Sequence, residues 1–317
     1  MTDTQKEVFK TPVNKIRLFE HGAPGSQNLK LTRKYYTEDM PDGRVKHIVQ
    51  NITDPDIVPY IPDGIGNSTD RQRIPAVLII PGGAFRRLVY NFEGEDVAKW
   101  LNSMGIAAFV LECRLPSDEH DNAEDVPLID AMRAMRVIRG RAQEFGIDEA
   151  KIGVMGFSAG GFMAALLSTV YESDVYADYK YKDEYDKLSA RPDFAVCSYP
   201  VISIDDCIEA GKRYMSEEQV LERISDSKAK ILHKYNPDKL VRPDMPPVFI
   251  CETDDDRTTL SENSVGFYMA ARKAGVSAEL HIFRTGGHGY GCGDDFAQTG
   301  EWKVLFTKWI KSIGIIS

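Results

Sequence analysis

Six short and nearly all-apolar runs recur along the chain: Ala76-VLII-Pro81, Ile106–Glu112, Ile152–Phe157, Phe194–Tyr199, Val248–Glu252 and Ala278–Phe283. A strand wetted on one face alternates polar and apolar residues, whereas one covered on both faces does not. Such runs are therefore read as central strands of a parallel sheet. Helical spacing fills the intervals at 93–104, 125–145, 160–170, 261–274 and 299–313, and in the second of these Val126, Ile129, Met132, Ile138, Ala142 and Phe145 fall on one stripe. Strand, helix, strand in repetition demands right-handed crossovers and helices on both faces, an α/β architecture. With 317 residues, 43% of them hydrophobic, one large domain over 1–317 is expected. Two regions break the rhythm. Residues 1–75 are rich in Pro, Gly, Asp and Asn, and predict antiparallel edge strands near 29–36 and 44–52 among long loops. Residues 205–240 are charged and partly helical, with Val220, Leu221 and Ile224 spaced as one helix face, and predict an inserted cap over one end of the sheet.

Ligands of a parallel sheet sit beyond the carboxyl ends of its strands. There, between the run ending at Phe157 and the helical pattern from Gly160, stands a single serine in Gly156-Phe157-Ser158-Ala159-Gly160. This is G-x-S-x-G. A close-packed strand–helix junction would explain the small residues alone, but a sharp turn that lifts a serine clear of the sheet needs glycine two residues before and two after it. The same turn aims the amide of Ala159 and a helix N-terminus at any oxygen on a carbon attached to Ser158.

A serine hydroxyl is a weak nucleophile without a base, and the base needs an orienting carboxylate. Of the six histidines, His288 follows the last strand directly within Thr285-GGHGYG-Gly291, where glycines leave its ring free to reach a cleft; a surface loop histidine is the bland alternative. His21, His47, His120 and His233 lie in irregular surroundings and His281 within a strand, so packing or solvated roles are expected for them. The acid is expected after Val248-FICE, in Thr253-DDDRTT-Thr259, with Asp256 preferred and Asp255 the alternative; Asp254 and Asp255 also read as a solvated acidic loop. The order Ser158, Asp256, His288 is the serine, acid, histidine order of the α/β-hydrolase fold. Independently, the strand at 76–80 ends in Pro81-GGAF-Phe85, either a plain tight turn or a set of backbone donors for a developing oxyanion.

With these residues in hand, the chain resembles the α/β-hydrolases, and within them the acetyl-xylan-esterase-like and BD-FAE-like carboxylesterases, from about Pro75 to the C-terminus. The resemblance is carried by PGGAF at 81–85, EGEDVAKWLNSMGIAAFVLECRLP at 93–116, PLIDAMRAMRVIR at 127–139, IGVMGFSAGG at 152–161, PPVFICETDDD at 246–256, and ENS through GGHGYG at 262–291. It implies Ser158 as nucleophile, Asp256 as acid and His288 as base, with Gly83, Ala84 and Ala159 lining the oxyanion hole. Pro81 and Ala84 depart from the HGGG of many relatives, and Asp256-RTTL departs from the D-P-V-V-P that often follows the acid. Backbone donors survive the first departure; the second bears on the acid loop. The implied activity is a serine carboxylesterase acting on short acyl esters, acetyl groups on plant-polysaccharide fragments foremost, with 205–235 the segment that matches least and the expected seat of selectivity.

Composition closes off other classes. The formal charge of −9 is spread without a basic tract, so neither nucleic acid nor an anionic membrane surface is an expected partner; the expected partner is a small-molecule ester. No run approaches the roughly 18 apolar residues of a membrane span and the first residues lack a signal-peptide core, so a cytoplasmic protein is expected. The five cysteines are odd in number and without C-x-x-C spacing, as free thiols are, and no metal-ligand motif is present, so neither cofactor nor metal is expected. The rival readings are an amidase or peptidase of the same fold, and a non-catalytic small-molecule receptor on a hydrolase scaffold.

Overall fold

The computed structural model describes residue 9 and residues 13–64, 73–220, 229–293 and 298–317. In chain order the strands are β1 (Ile16–Arg17), β2 (Lys34–Asp39), β3 (Val45–Gln50), β4 (Asp56–Tyr60), β5 (Ile74–Ile80), β6 (Leu88–Val89), β7 (Ala107–Glu112), β8 (Ile147–Phe157), β9 (Ala195–Ser198), β10 (Val248–Thr253) and β11 (Ala278–Phe283). The helices are α1 (Asp96–Ser103), α2 (Val126–Gly140), α3 (Ala142–Phe145), α4 (Ala159–Val170), α5 (Ile204–Tyr214), α6 (Ala229–Lys234), α7 (Ser261–Lys273) and α8 (Glu301–Ser312).

The six apolar runs are β5, β7, β8, β9, β10 and β11. They lie in an eight-stranded sheet of order β1-β4-β7-β5-β8-β9-β10-β11, parallel from β7 to β11 and antiparallel at β1 and β4. Val77, Leu78, Ile79, Phe109, Val154 and Phe249 are all fully buried, because helices cover both faces. The strand order jumps outward in two directions from β5, so the carboxyl ends of β5 and β8 flank the crevice where such sheets bind ligands.

Three expectations need correction. The strand-like pieces at 29–36 and 44–52 do not edge the main sheet: β2 and β3 pair with each other and with β6 in a separate three-stranded antiparallel sheet. The sheet ends instead at the two-residue β1, which pairs with β4, DIVPY, whose Pro59 removes a ladder donor and makes the run read as loop. At the other side it ends at β11, which reads from the sequence as a central strand but is an only partly buried edge. The stretch 125–145 is two helices, broken at Arg141 with φ −102° and ψ 16°. In 205–240, Ser203 caps α5 by accepting from the amides of Asp205 and Asp206, and Val220 is buried beside Gly211. Leu221 and Ile224 lie outside the described residues. Ion pairs hold the N-terminal segment to the sheet. Glu112, fully buried, accepts from Lys15 at 2.6 Å, Arg33 at 2.7 Å and Tyr35 at 3.0 Å, and Arg33 also reaches Asp56 at 2.6 Å. Burial, and next the Glu112 charge, pushes the Asp56 carboxyl up to about 6.

Candidate active site

The turn between β8 and α4 has room for nothing larger than glycine. A Cβ on Gly156 would run into the carbonyl of Gly160, and one on Gly160 into the carbonyl of Ile80. Between them Ser158 adopts φ 53° and ψ −116°, a strained conformation for a residue with a side chain, held by its amide donating to Ser198 O at 3.0 Å and its carbonyl accepting from Phe162 N at 3.0 Å. The strain points Oγ out of the sheet. Its partner is His288, whose Nε2 lies 2.8 Å from Ser158 Oγ while Nδ1 lies 2.6 Å from Asp256 Oδ2. The three expected side chains are thus brought together from the ends of β8, β10 and β11.

Asp256 is buried, with its other oxygen accepting the amides of Thr258 at 2.7 Å and Thr259 at 3.0 Å. Burial raises its carboxyl, but the His288 ring and those amides outweigh burial and hold it below the usual carboxylate range. An ionised Asp256 fixes the proton on Nδ1, leaving Nε2 to accept from the serine. Asp255 does something else. It is exposed and accepts the amides of Gly286 at 3.0 Å and Gly287 at 2.8 Å, tying down the histidine loop without touching the ring. Of the other histidines, His120 is buried against Ser26 Oγ at 3.0 Å, and His281 pairs with Glu279 at 2.8 Å.

After β5 the chain turns through Gly83 (φ 135°), Ala84 (φ 56°) and Phe85 (φ 59°), three successive residues in the left-handed half of backbone space. This turn abuts Ser158: a Cβ on Gly82 would lie 2.9 Å from Ser158 Cβ. Among the described residues the amides of Gly83 and Ala84 have no protein acceptor, and Ala159, as the first residue of α4, has an amide that the helix itself leaves unpaired. All three can serve an oxygen on a carbon attached to Ser158. A narrow apolar crevice opens beside them, lined by Gly82, Phe85, Leu115, Pro116, Ala159 and Met163 among others.

Two residues that sequence reasoning left without a role stand at the same place. Glu93, in the turn leading into α1, is buried and accepts from Gly82 N at 2.8 Å and from Tyr199 Oη at 2.9 Å. Tyr199, just past β9, is fully buried with φ 37°, and its ring packs edge-on to His288 with centroids 5.0 Å apart. An acidic residue in a helical pattern reads as solvated and an aromatic at a strand end as core, so neither carried a signal.

A mostly parallel sheet with a serine on the turn after β8, an acid loop after β10 and a histidine loop after β11 has the α/β-hydrolase fold. Residues 65–270 match the BD-FAE family, and the chain belongs to it. It is 31% identical over 240 residues to an acetylxylan esterase of Xylanibacter ruminicola, covering 75% of this chain and 45% of that protein. The chain thus spans less than half the length of that curated relative. An acetyl ester-xyloside bifunctional hydrolase from Caldicellulosiruptor lactoaceticus is 34% identical, with a TM-score of 0.70 over 96% of this chain and 97% of that one. The propionate-bound esterase Est2 from Thermogutta terrifontis is 25% identical, with a TM-score of 0.65 over 93% and 96% of the two chains.

Proposed function

We propose that the chain is a serine carboxylesterase that removes short acyl groups, acetyl foremost, through an acyl-enzyme. The observation that carries this reading is the continuous hydrogen-bonded series from Ser158 Oγ through His288 to Asp256, at 2.8 and 2.6 Å, beginning on a strained turn beside unpaired amides. His288 takes the Ser158 proton as Oγ attacks the ester carbonyl, the amides of Gly83, Ala84 and Ala159 hold the tetrahedral oxygen, and protonated His288 returns the proton to the departing alcohol. Water activated by His288 then releases the acid, while Asp256 stays ionised and keeps the ring in one tautomer.

The acetylxylan esterase relative and the acetyl ester-xyloside hydrolase support acetylated xylo-oligosaccharides as the substrate class. The cap reading of 205–240 has support from its first helix: Asn263 Oδ1 accepts from the amides of Ile202 and Ser203 just before α5, and Arg257, next to Asp256, lies over the Tyr214 ring at its end, 5.5 Å from the centroid. A p-nitrophenyl ester series from acetate to octanoate, run beside amino-acyl anilides, tests the reading. Acetate is expected to give the highest kcat/KM. Preference for octanoate or for the anilides would overturn it.

A further inference from the structure

Glu93 is a buried carboxyl at the site besides Asp256, and none of the proposed chemical steps uses it. Burial pushes this carboxyl up from its ordinary range, with the nearby His288 charge pulling it back, so its placement is costly. A core position in the turn before α1 could be filled at no such cost by an apolar side chain. What the carboxyl does there is bond the oxyanion turn to the residue that follows β9. Its Oε2 takes the amide of Gly82, at the start of the oxyanion turn, and lies 2.8 Å from the point where a Cβ on Gly82 would sit; Ser158 Cβ lies 2.9 Å from that same point. Its Oε1 takes the hydroxyl of Tyr199. That hydroxyl accepts in turn from Gly291 N at 3.1 Å, in the loop that carries His288, and the Tyr199 carbonyl accepts from Thr259 Oγ1 at 3.3 Å, in the loop that carries Asp256.

We propose that Glu93 and Tyr199 form a positioning brace that sets the oxyanion turn and the His288 loop in one register against Ser158. This rests on the esterase reading above. Neither residue hydrogen-bonds a reacting atom; the Tyr199 ring packs against His288, and the hydrogen bonds of the pair act through Gly82, Gly291 and Thr259. A misplacement on the order of 1 Å at a reacting centre costs about 10²-fold in rate, and the brace spans both groups whose placement matters most.

The variants Glu93→Gln, Glu93→Ala, Tyr199→Phe and the double variant Glu93→Gln/Tyr199→Phe test this in the full chain. Active sites are first counted by titration with a serine-directed phosphonate, so that kcat refers to folded enzyme, and melting temperatures are read alongside. Glutamine keeps an acceptor for Gly82 but presents its amide group to Tyr199; phenylalanine keeps the ring against His288 but orphans Glu93 Oε1 and Gly291 N. We expect kcat on p-nitrophenyl acetate to fall about tenfold in Glu93→Gln and in Tyr199→Phe and about a hundredfold in Glu93→Ala, with KM within about twofold. The double variant should be no slower than the slower single, because both remove the same link. Unchanged kcat per titrated site in Glu93→Gln and Tyr199→Phe, whatever their melting temperatures, overturns the brace, as do losses that multiply in the double variant. A variant that fails to fold leaves the decision to the two conservative ones. Wild type that turns over and titrates, beside variants equally fast, refutes the brace and spares the esterase reading; wild type that does neither refutes both.

Discussion

The rim above β5, β8, β10 and β11 and the N-terminal segment that supplies β1 to β4 are built by opposite means. At the rim, geometry is forced by the backbone over a few consecutive residues: Gly156 and Gly160 leave no space for a Cβ, and Ser158 is strained between them. The N-terminal segment is fixed by side chains from distant parts of the chain, Lys15, Arg33 and Tyr35 converging on Asp56 and Glu112. Local constraint makes a site that chemistry can rely on. Distant ion pairs make an attachment that is stable yet replaceable, since a buried pair contributes little net once desolvation is counted.

If that contrast is right, changes at the rim cost rate and changes at the attachment cost stability. The largest effect is expected for Ser158→Ala, a fall on the order of 10⁶ in kcat, with a melting temperature little changed because alanine keeps the Cβ and the same backbone conformation. Next comes Asp256→Asn, which offers His288 Nδ1 a donor in place of an acceptor, reverses the tautomer and lowers kcat by about 10⁴; Asp255→Asn, touching only Gly286 and Gly287, should cost about tenfold at most. Steady-state kinetics on p-nitrophenyl acetate reads all three. At the attachment, Glu112→Gln removes one of the two carboxylates that Lys15 and Arg33 share, leaving Asp56 as their remaining anion, and should lower unfolding free energy by about 1–3 kcal/mol in urea titration, with kcat per titrated site unchanged. A loss of kcat there would merge the two regions into one.

The smallest effect concerns pH. His120, buried against Ser26, has its imidazole pushed down to about 4 by burial first and by the Arg114 charge second. Its folded pKa is below the unfolded value of 6.5, so between them the unfolded chain binds a proton that the folded one does not. Stability is therefore intact above about 6.5 and declines as pH falls toward about 4, by at most about 1.4 kcal/mol per pH unit. Denaturation midpoints for wild type and His120→Gln over that window should converge as pH falls; parallel curves would show that His120 does not titrate on unfolding.

The same contrast explains what could be read from the sequence. Fully covered strands write themselves as continuous apolar runs, so β5, β7, β8, β9 and β10 were legible; β11 was legible as a strand but not as the partly exposed edge it is, and glycines required by a clash identify the turn around Ser158. The carboxylate that faces His288 was legible to within one residue because a strand end and an acidic loop coincide, but choosing Asp256 over Asp255 takes the loop's fold: one carboxylate faces the ring and its neighbour faces two amides. The antiparallel strand β4 was hidden by Pro59, and the separate sheet of β2, β3 and β6 by residues that pair across some forty positions, Ile48 with Val89. Glu93 was hidden for a third reason. Its partners are a backbone amide and a phenol brought near by three different loops, a convergence that no local pattern records.

The most direct test of the proton relay at Ser158 is to mix the protein with p-nitrophenyl acetate, quench in acid on the millisecond scale, and map the labelled peptide by mass spectrometry. The relay predicts one acetyl group on the peptide that holds Ser158, formed in a burst with the first equivalent of nitrophenol and absent in Ser158→Ala. Turnover of the ester with no acyl group on that peptide at any quench time, persisting in Ser158→Ala, would contradict it.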